Sequence, residues 1–502
     1  MKRLCLVLAY LAVVPPIPAA RATAFVSAPC PFVPASDHIE GQTLRCGFVT
    51  VPEDRTRPLG RQVHLSVAVF NARGAATREP LVFIGGGPGS FVLESFGPGV
   101  TGSLAQDLSS NRDFVVFDQR GVGFSQPSLY CEELRVLFYS TLGTYRTRAQ
   151  RTDDRVAAAL ACRDRLVAGG IDLASYNTVT SAADVNDIRL ALGYDKVDLW
   201  GLSYGTKLAL RVERDFRQAV NSLVLDSALP PPVNQLVDQA SNAERAFRVM
   251  FDACASDAAC SSAYPNLENE FYGLVAKLNA NPAVFHAQHP RTGVVHQVVL
   301  TGDSIIETLN DALVPAFLIP FMPLAIASLS QGNFTLISQA TSLLSFDDSH
   351  SAGMFYSVNC ADEAARTSAP QVFAARRNVR PEIALALNED ARLRICAEWG
   401  AAESLPMIGT PVVSSVPTLI LAGEYDPLTP PSYGTIAGRT LRNSYLFEFP
   451  AIGHNAQRSS PCAHSMMMAF LANPTVAPNA ACIGNMQPPA WVIPSSPAVR
   501  RK

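Results

Sequence analysis

The stretch KVDLWGLSYGTKLAL, residues 196 to 210, constrains this chain more than any other. An apolar run breaks into Gly201-Leu202-Ser203-Tyr204-Gly205, and a helical pattern follows at once. Glycines flanking the serine let a strand and a helix meet around a sharp turn with the hydroxyl at its apex. A serine hydroxyl alone is a weak nucleophile, so the turn gains chemical meaning only if a base and an acid come to meet it.

Two later segments supply candidates. LILAGEYDPLTP places Asp426 after one apolar strand, and FEFPAIGHN places His454 after the next. The order Ser203, Asp426, His454 is the one used by the α/β-hydrolase fold. In this reading His454 takes the proton of Ser203 and delivers it to the leaving group, while Asp426 fixes the imidazole tautomer. Asp226 and Glu424 are rival acids, and His464, inside a helical pattern, is a rival base.

The charge on a tetrahedral intermediate needs backbone donors. LVFIGGGPGS, residues 81 to 90, follows an early strand where this fold takes one of them. Gly86 and Gly87 are the candidates, with Gly87 preferred, and the N–H of Tyr204 is the second donor. A nucleotide cradle does not fit: no G-x-G-x-x-G opens a helix, no Walker lysine follows, and Pro88 lacks an N–H. In FDQRGVGFS, Asp118 and Arg120 read as an ion pair bracing the neighbouring loop.

Strand-like runs at 62–70, 80–84, 113–117, 197–200 and 221–225 alternate in their later part with helical patterns at 152–168, at 182–192 behind the capping candidate Ser181, and after Gly205. This alternation predicts a mostly parallel central sheet with helices on both faces. It stops at Pro230-Pro231-Pro232 and resumes at 417–430. The expected division is an α/β core over 25–229, a large helical cap inserted over 230–410, and the rest of the core over 411–502. Within the cap, VPAFLIPFMPLAIA (314–327) is too broken by prolines to span a membrane and reads as a helix covering a pocket.

Residues 1–24 have the layout of a secretory leader: Lys2 and Arg3, an apolar stretch cut short by Pro15, Pro16 and Pro18, then small residues that favour cleavage after Ala24 or Ala22. The expected destination is the medium or the periplasm. Without Cys5 ten cysteines remain, an even number that suits disulfides. Spacing does not fix their connectivity; pairing neighbours, 30 with 46, 131 with 162, 254 with 260, 360 with 396 and 462 with 482, is the simplest arrangement. A net charge of −3 gives no footprint for nucleic acid. No CxxC occurs, and His286-x-x-His289 reads as two surface histidines, so neither metal nor cofactor is expected.

GGGPGS, DQRGVGFSQPSLYCEEL, YNTVTSAADVNDIRLALGYDKVDLWGLSYGTKLAL, LAGEYDPLTP and IGHN together resemble the secreted tripeptidyl and prolyl aminopeptidase-like α/β-hydrolases. The resemblance implies a capped serine exopeptidase with its triad at Ser203, Asp426 and His454, and no metal. CADE (360–363) and CAEW (396–399) resemble the cap-end cysteines of that family, which supports a Cys360–Cys396 bridge. Two departures stand out. Gly85 occupies the place where proline iminopeptidases usually carry a histidine, and the cap acids that would hold a substrate's free amine lack a clear motif; Glu363 is the candidate. The expected substrate is a short peptide cleaved from its N-terminus, or, with the same triad, an apolar ester held by the 314–327 segment. A non-catalytic binding protein on this scaffold would break at least one triad position, and all three are filled.

Overall fold

The computed structural model describes residues 24–96, 103–403 and 405–494. The expected leader, apart from Ala24, lies outside them. Nine strands form one sheet: β1 (Phe25–Ser27), β2 (Leu44–Pro52), β3 (Gln62–Phe70), β4 (Leu81–Ile84), β5 (Phe114–Phe117), β6 (Val197–Leu202), β7 (Val220–Asp226), β10 (Thr418–Gly423) and β11 (Ser444–Phe449). A separate antiparallel hairpin joins β8 (Ala283–Gln288) to β9 (Val295–Leu300). The sheet order is β1-β2-β3-β5-β4-β6-β7-β10-β11, antiparallel as far as β5 and parallel from there to the other edge.

The central strands are short and fully apolar because helices cover both faces. LVFI, FVVF and TLILAG are buried at every position. Their side chains still alternate. Val82, Leu199 and Ile420 enter one core, and their neighbours Phe83, Trp200 and Leu419 enter the core on the opposite face.

The sequence reading placed the helices but misplaced two starts. The first long helix runs Arg148–Ala168 and opens on a capping box between Thr147 and Gln150, not at 152. The next runs Thr178–Ala191 and is capped by Asn177, whose side chain accepts the N–H of Thr180 at 2.9 Å. Ser181 is a buried residue inside that helix rather than its cap.

Between β7 and β10 the chain makes its long excursion. It carries helices from Gln235–Ser256 to Asp390–Glu398, together with the β8–β9 hairpin, which the helical reading of this region did not anticipate. Residues 240–346 and 379–387 supply most of a core of their own, around Phe247, Phe271, Ile306 and Ile326. The helix Ala352–Asp362 and Trp399 turn back and pack into the main core. All five neighbour pairs of cysteines form disulfides: Cys30–Cys46, Cys131–Cys162, Cys254–Cys260, Cys360–Cys396 and Cys462–Cys482. No described helix is long and apolar enough to cross a membrane.

Candidate active site

Ser203 stands between β6 and the helix Tyr204–Asp215 with φ 57° and ψ −125°. For a residue with a side chain this backbone costs about 1–3 kcal/mol and persists only where neighbours enforce it. They do so here. The Ser203 N–H donates to the Asp226 carbonyl at 3.0 Å, and the Ser203 carbonyl accepts the N–H and the hydroxyl of Thr206 at 2.9 and 2.6 Å. Gly205 permits the close approach: a Cβ there would stand 2.0 Å from the Ile84 carbonyl oxygen of the adjacent strand.

Asp426 lies in the turn after β10, with no solvent exposure. Its Oδ1 accepts the N–H groups of Leu428 and Thr429 at 2.8 and 2.9 Å. Its Oδ2 accepts the Thr429 hydroxyl at 2.8 Å and faces Nδ1 of His454 at 2.7 Å. Arg245, from the excursion, donates to the carbonyls of Glu424 and Asp426 at 2.8 and 2.7 Å and so braces the same turn. Burial alone would raise the Asp426 carboxyl, but the His454 charge and these donors hold it below the ordinary carboxylate range. Burial would likewise lower the His454 imidazole, and the carboxylate beside it instead raises it. With Nδ1 turned to the carboxylate, Nε2 is the free lone pair of the neutral ring.

The rival groups have other partners. Asp226 accepts the N–H groups of Ala456 and Gln457 at 2.8 and 3.0 Å, and burial pushes it up to about 6. Glu424 accepts the Ala451 N–H at 3.0 Å, and His464 pairs with Gln457 and Asp107.

The turn after β4 lies directly against the serine: a Cβ on Gly86 would come within 2.9 Å of the Ser203 Cβ. Gly87 adopts φ +107°. Among the described residues no acceptor takes the N–H of either glycine. The N–H of Tyr204, in the first helical turn, has no partner within its helix. The turn is held from several sides. Gln119 donates to the Gly85 carbonyl at 3.0 Å, and Asp118 accepts the N–H groups of Val92, Leu93 and Phe124 at 2.8, 3.0 and 2.8 Å. Residues 349–351 strap its far side: Phe91 donates to the Ser349 carbonyl at 3.1 Å, Ser351 donates to the Gly89 carbonyl at 2.8 Å, and Nε2 of His350 lies 3.0 Å from the Pro88 carbonyl oxygen.

Ser203, Gly86, Gly87 and His454 all line one cavity of about 400 Å³, whose apolar wall includes Phe83, Trp200 and Leu428.

Several expectations need correction. Asp118 and Arg120 are not an ion pair, because Arg120 turns away to make a bidentate contact with Asp184 at 2.6 Å on both arms. Glu363 does not line the cavity. It is buried and spent on Lys207, with its second oxygen accepting the Gln235 N–H at 2.9 Å. The 314–327 segment does not line the cavity either; it reaches the site through its backbone, where the Val314 carbonyl accepts the N–H of His454 at 2.9 Å. Of the two histidines read as surface residues, His289 is buried against Phe346.

Sequence reasoning missed Thr429, although a hydroxyl three residues after the acid in DPLTP was within its reach. It also missed His350, which nothing local marks, and the hydrogen bonds behind the turn, where Tyr204 meets Thr178 at 2.7 Å and Thr178 meets Asp362 at 2.6 Å.

The chain is similar to known proteins over most of its length. It is 28% identical to the serine protease Hip1 of Mycobacterium tuberculosis over 470 residues, 87% of this chain and 86% of that protein. It is 28% identical to carboxylesterase B of the same organism over 473 residues, covering 88% and 87%. A shorter match, 32% identical over 217 residues, joins 41% of it to 39% of the tripeptidyl aminopeptidase of Streptomyces lividans. Residues 79–461 match the alpha/beta hydrolase fold family. That span begins just before β4 and runs beyond His454, so the chain belongs to the alpha/beta hydrolase fold family.

Proposed function

We propose that this protein is an exported serine hydrolase that removes short N-terminal pieces from peptides through an acyl-enzyme on Ser203. The observation that carries the reading is the meeting, in one cavity, of a serine on a strained turn, a histidine held by a buried carboxylate, and two glycines with unengaged N–H groups. His454 accepts the proton as Ser203 attacks the carbonyl carbon, and the N–H groups of Tyr204 and of Gly87 or Gly86 hold the oxyanion. His454 then returns the proton to the departing amine. Water repeats the sequence on the acyl-enzyme and releases the acyl half. The five disulfides support export, since such bonds persist in oxidising compartments.

The excursion between β7 and β10 acts as the cap. Glu363 being engaged by Lys207, Asp311 is the better candidate to hold the free amine: it lies outside the lining of the cavity, but it is solvent-accessible and stands three residues before Val314, whose carbonyl bonds the His454 backbone. The protein packed around it pushes its carboxyl up to about 6, and a docked ammonium would pull it down again. The second reading, hydrolysis of apolar esters, is favoured by the aromatic cavity wall and by similarity to a protein named carboxylesterase B.

A fluorophosphonate label tests the nucleophile. Wild type takes the label and Ser203→Ala does not; an unlabelled wild type at neutral pH sinks the enzyme reading. Turnover of tripeptidyl arylamides against a neutral aryl ester separates the two substrates. Brisk ester cleavage without any amide cleavage removes the peptidase.

A further inference from the structure

The cavity beside Ser203 has a charge pattern that the triad does not use. Among the described residues that line it none is an aspartate or a glutamate, and apart from His454 the one ionisable side chain among them is Arg458. This arginine is exposed and sits on the short helix Ala456–Ser459, four residues after His454. Its guanidinium makes no hydrogen bond or ion pair with any described residue. The stretches outside the description, 1–23, 97–102, 404 and 495–502, contain neither aspartate nor glutamate in their sequence. Many of the other arginines are paired; Arg55, Arg112, Arg120 and Arg148 each meet a carboxylate.

The helix that carries Arg458 is anchored. Buried Asp226 accepts the N–H groups of Ala456 and Gln457, and the Asn455 side chain accepts the Arg458 N–H at 3.2 Å. The guanidinium therefore swings from a fixed base next to the residue that, in the proposed reaction, protonates the leaving group. A planar cation with five donors suits a carboxylate.

We infer that Arg458 recognises a carboxylate on the leaving half of the substrate, which makes the preferred substrate a short peptide whose free C-terminus lies within reach of the cleaved bond. The inference rests on the proposed roles of Ser203 and His454. It gives this side of the cavity a length rule, since a longer leaving half carries its carboxylate past the arginine.

The test uses pairs of substrates with one acyl half and a leaving amino acid that carries either a free α-carboxylate or the neutral amide. Wild type prefers the carboxylate by about 1.5-fold to fivefold in kcat/KM, the range of a solvent-exposed charge pair, and added salt shrinks the preference. Arg458→Ala brings the ratio to about one, Arg458→Lys retains part of it, and Arg458→Glu reverses it. Circular dichroism melts of each variant certify the fold. A wild-type ratio of one, or a ratio unmoved by Arg458→Ala, overturns the inference. A carboxylate preference that appears only when the acid is placed on the acyl half overturns the assignment to the leaving half. Aryl esters with and without a carboxylate on the alcohol half keep the question separate from peptide cleavage: if peptides are not turned over but the ester pair shows an Arg458-dependent ratio, the arginine's role stands and the peptidase reading falls.

Discussion

Oδ2 of Asp426 stands 2.7 Å from Nδ1 of His454, and the Thr429 hydroxyl touches both, at 2.8 and 3.2 Å. Two side chains from one turn thus fix the ring.

The first consequence is a pH profile. In the proposed reaction the neutral form of His454 is the base, and its pKa is raised, so kcat/KM should fall as pH drops through a value above the ordinary imidazole pKa of about 6.5. Asp426→Asn should move this limb down and cost roughly 10⁴-fold in kcat. The ion pair stabilises the fold between the lowered Asp426 pKa and the raised His454 pKa. Its contribution fades below that window as Asp426 protonates and above it as His454 loses its proton. Stopped assays across pH, with melts in the same buffers, check both statements.

Thr429→Val removes a hydroxyl that orients the carboxylate and the ring without touching substrate. The expected loss is about tenfold in kcat, near 1.4 kcal/mol, with KM little changed. An unchanged kcat would show that the N–H groups on Asp426 suffice.

His350 bears, from the strap at 349–351, on the turn proposed to hold the oxyanion. Its Nε2–H donates to the Pro88 carbonyl, so His350→Ala should loosen Gly86 and Gly87 and lower kcat about tenfold. Affinity for a peptide boronate, which mimics the tetrahedral state, should fall in parallel. His350→Gln, which keeps a donor, should recover part of both.

Glu363→Gln tests a stability role. Breaking a buried ion pair leaves Lys207 uncompensated and costs about 3–5 kcal/mol, read from urea unfolding. Free-amine and amine-blocked substrates should lose rate equally in this variant, because both oxygens of Glu363 are already engaged, by Lys207 and the Gln235 N–H. Asp311→Asn should instead raise KM for the free-amine substrate alone.

The sheet was legible because parallel strands buried on both faces leave uninterrupted apolar runs, such as LVFI and TLILAG. The strands β1 and β2 and the hairpin β8–β9 were not, since partly exposed strands carry no such run. The serine and histidine turns announced themselves through residue order and through the strands before them. The supporting contacts did not. His350 meets Pro88 across 262 positions and Arg245 meets Asp426 across 181, and no local pattern records a partner so distant. Glu363 and Asp118 went wrong for one reason: a carboxylate in a loop looks the same in sequence whether water, a lysine or three N–H groups receive it.

The hydrogen bond from His454 to the Val314 carbonyl joins two parts of the chain that pack around separate cores. His454 is therefore held from both sides of that divide, by the Asp426 carboxylate after β10 and by the Val314 carbonyl of the excursion. A shift in the packing of the excursion near residue 314 would thus reach the histidine through its backbone, without passing through the cavity.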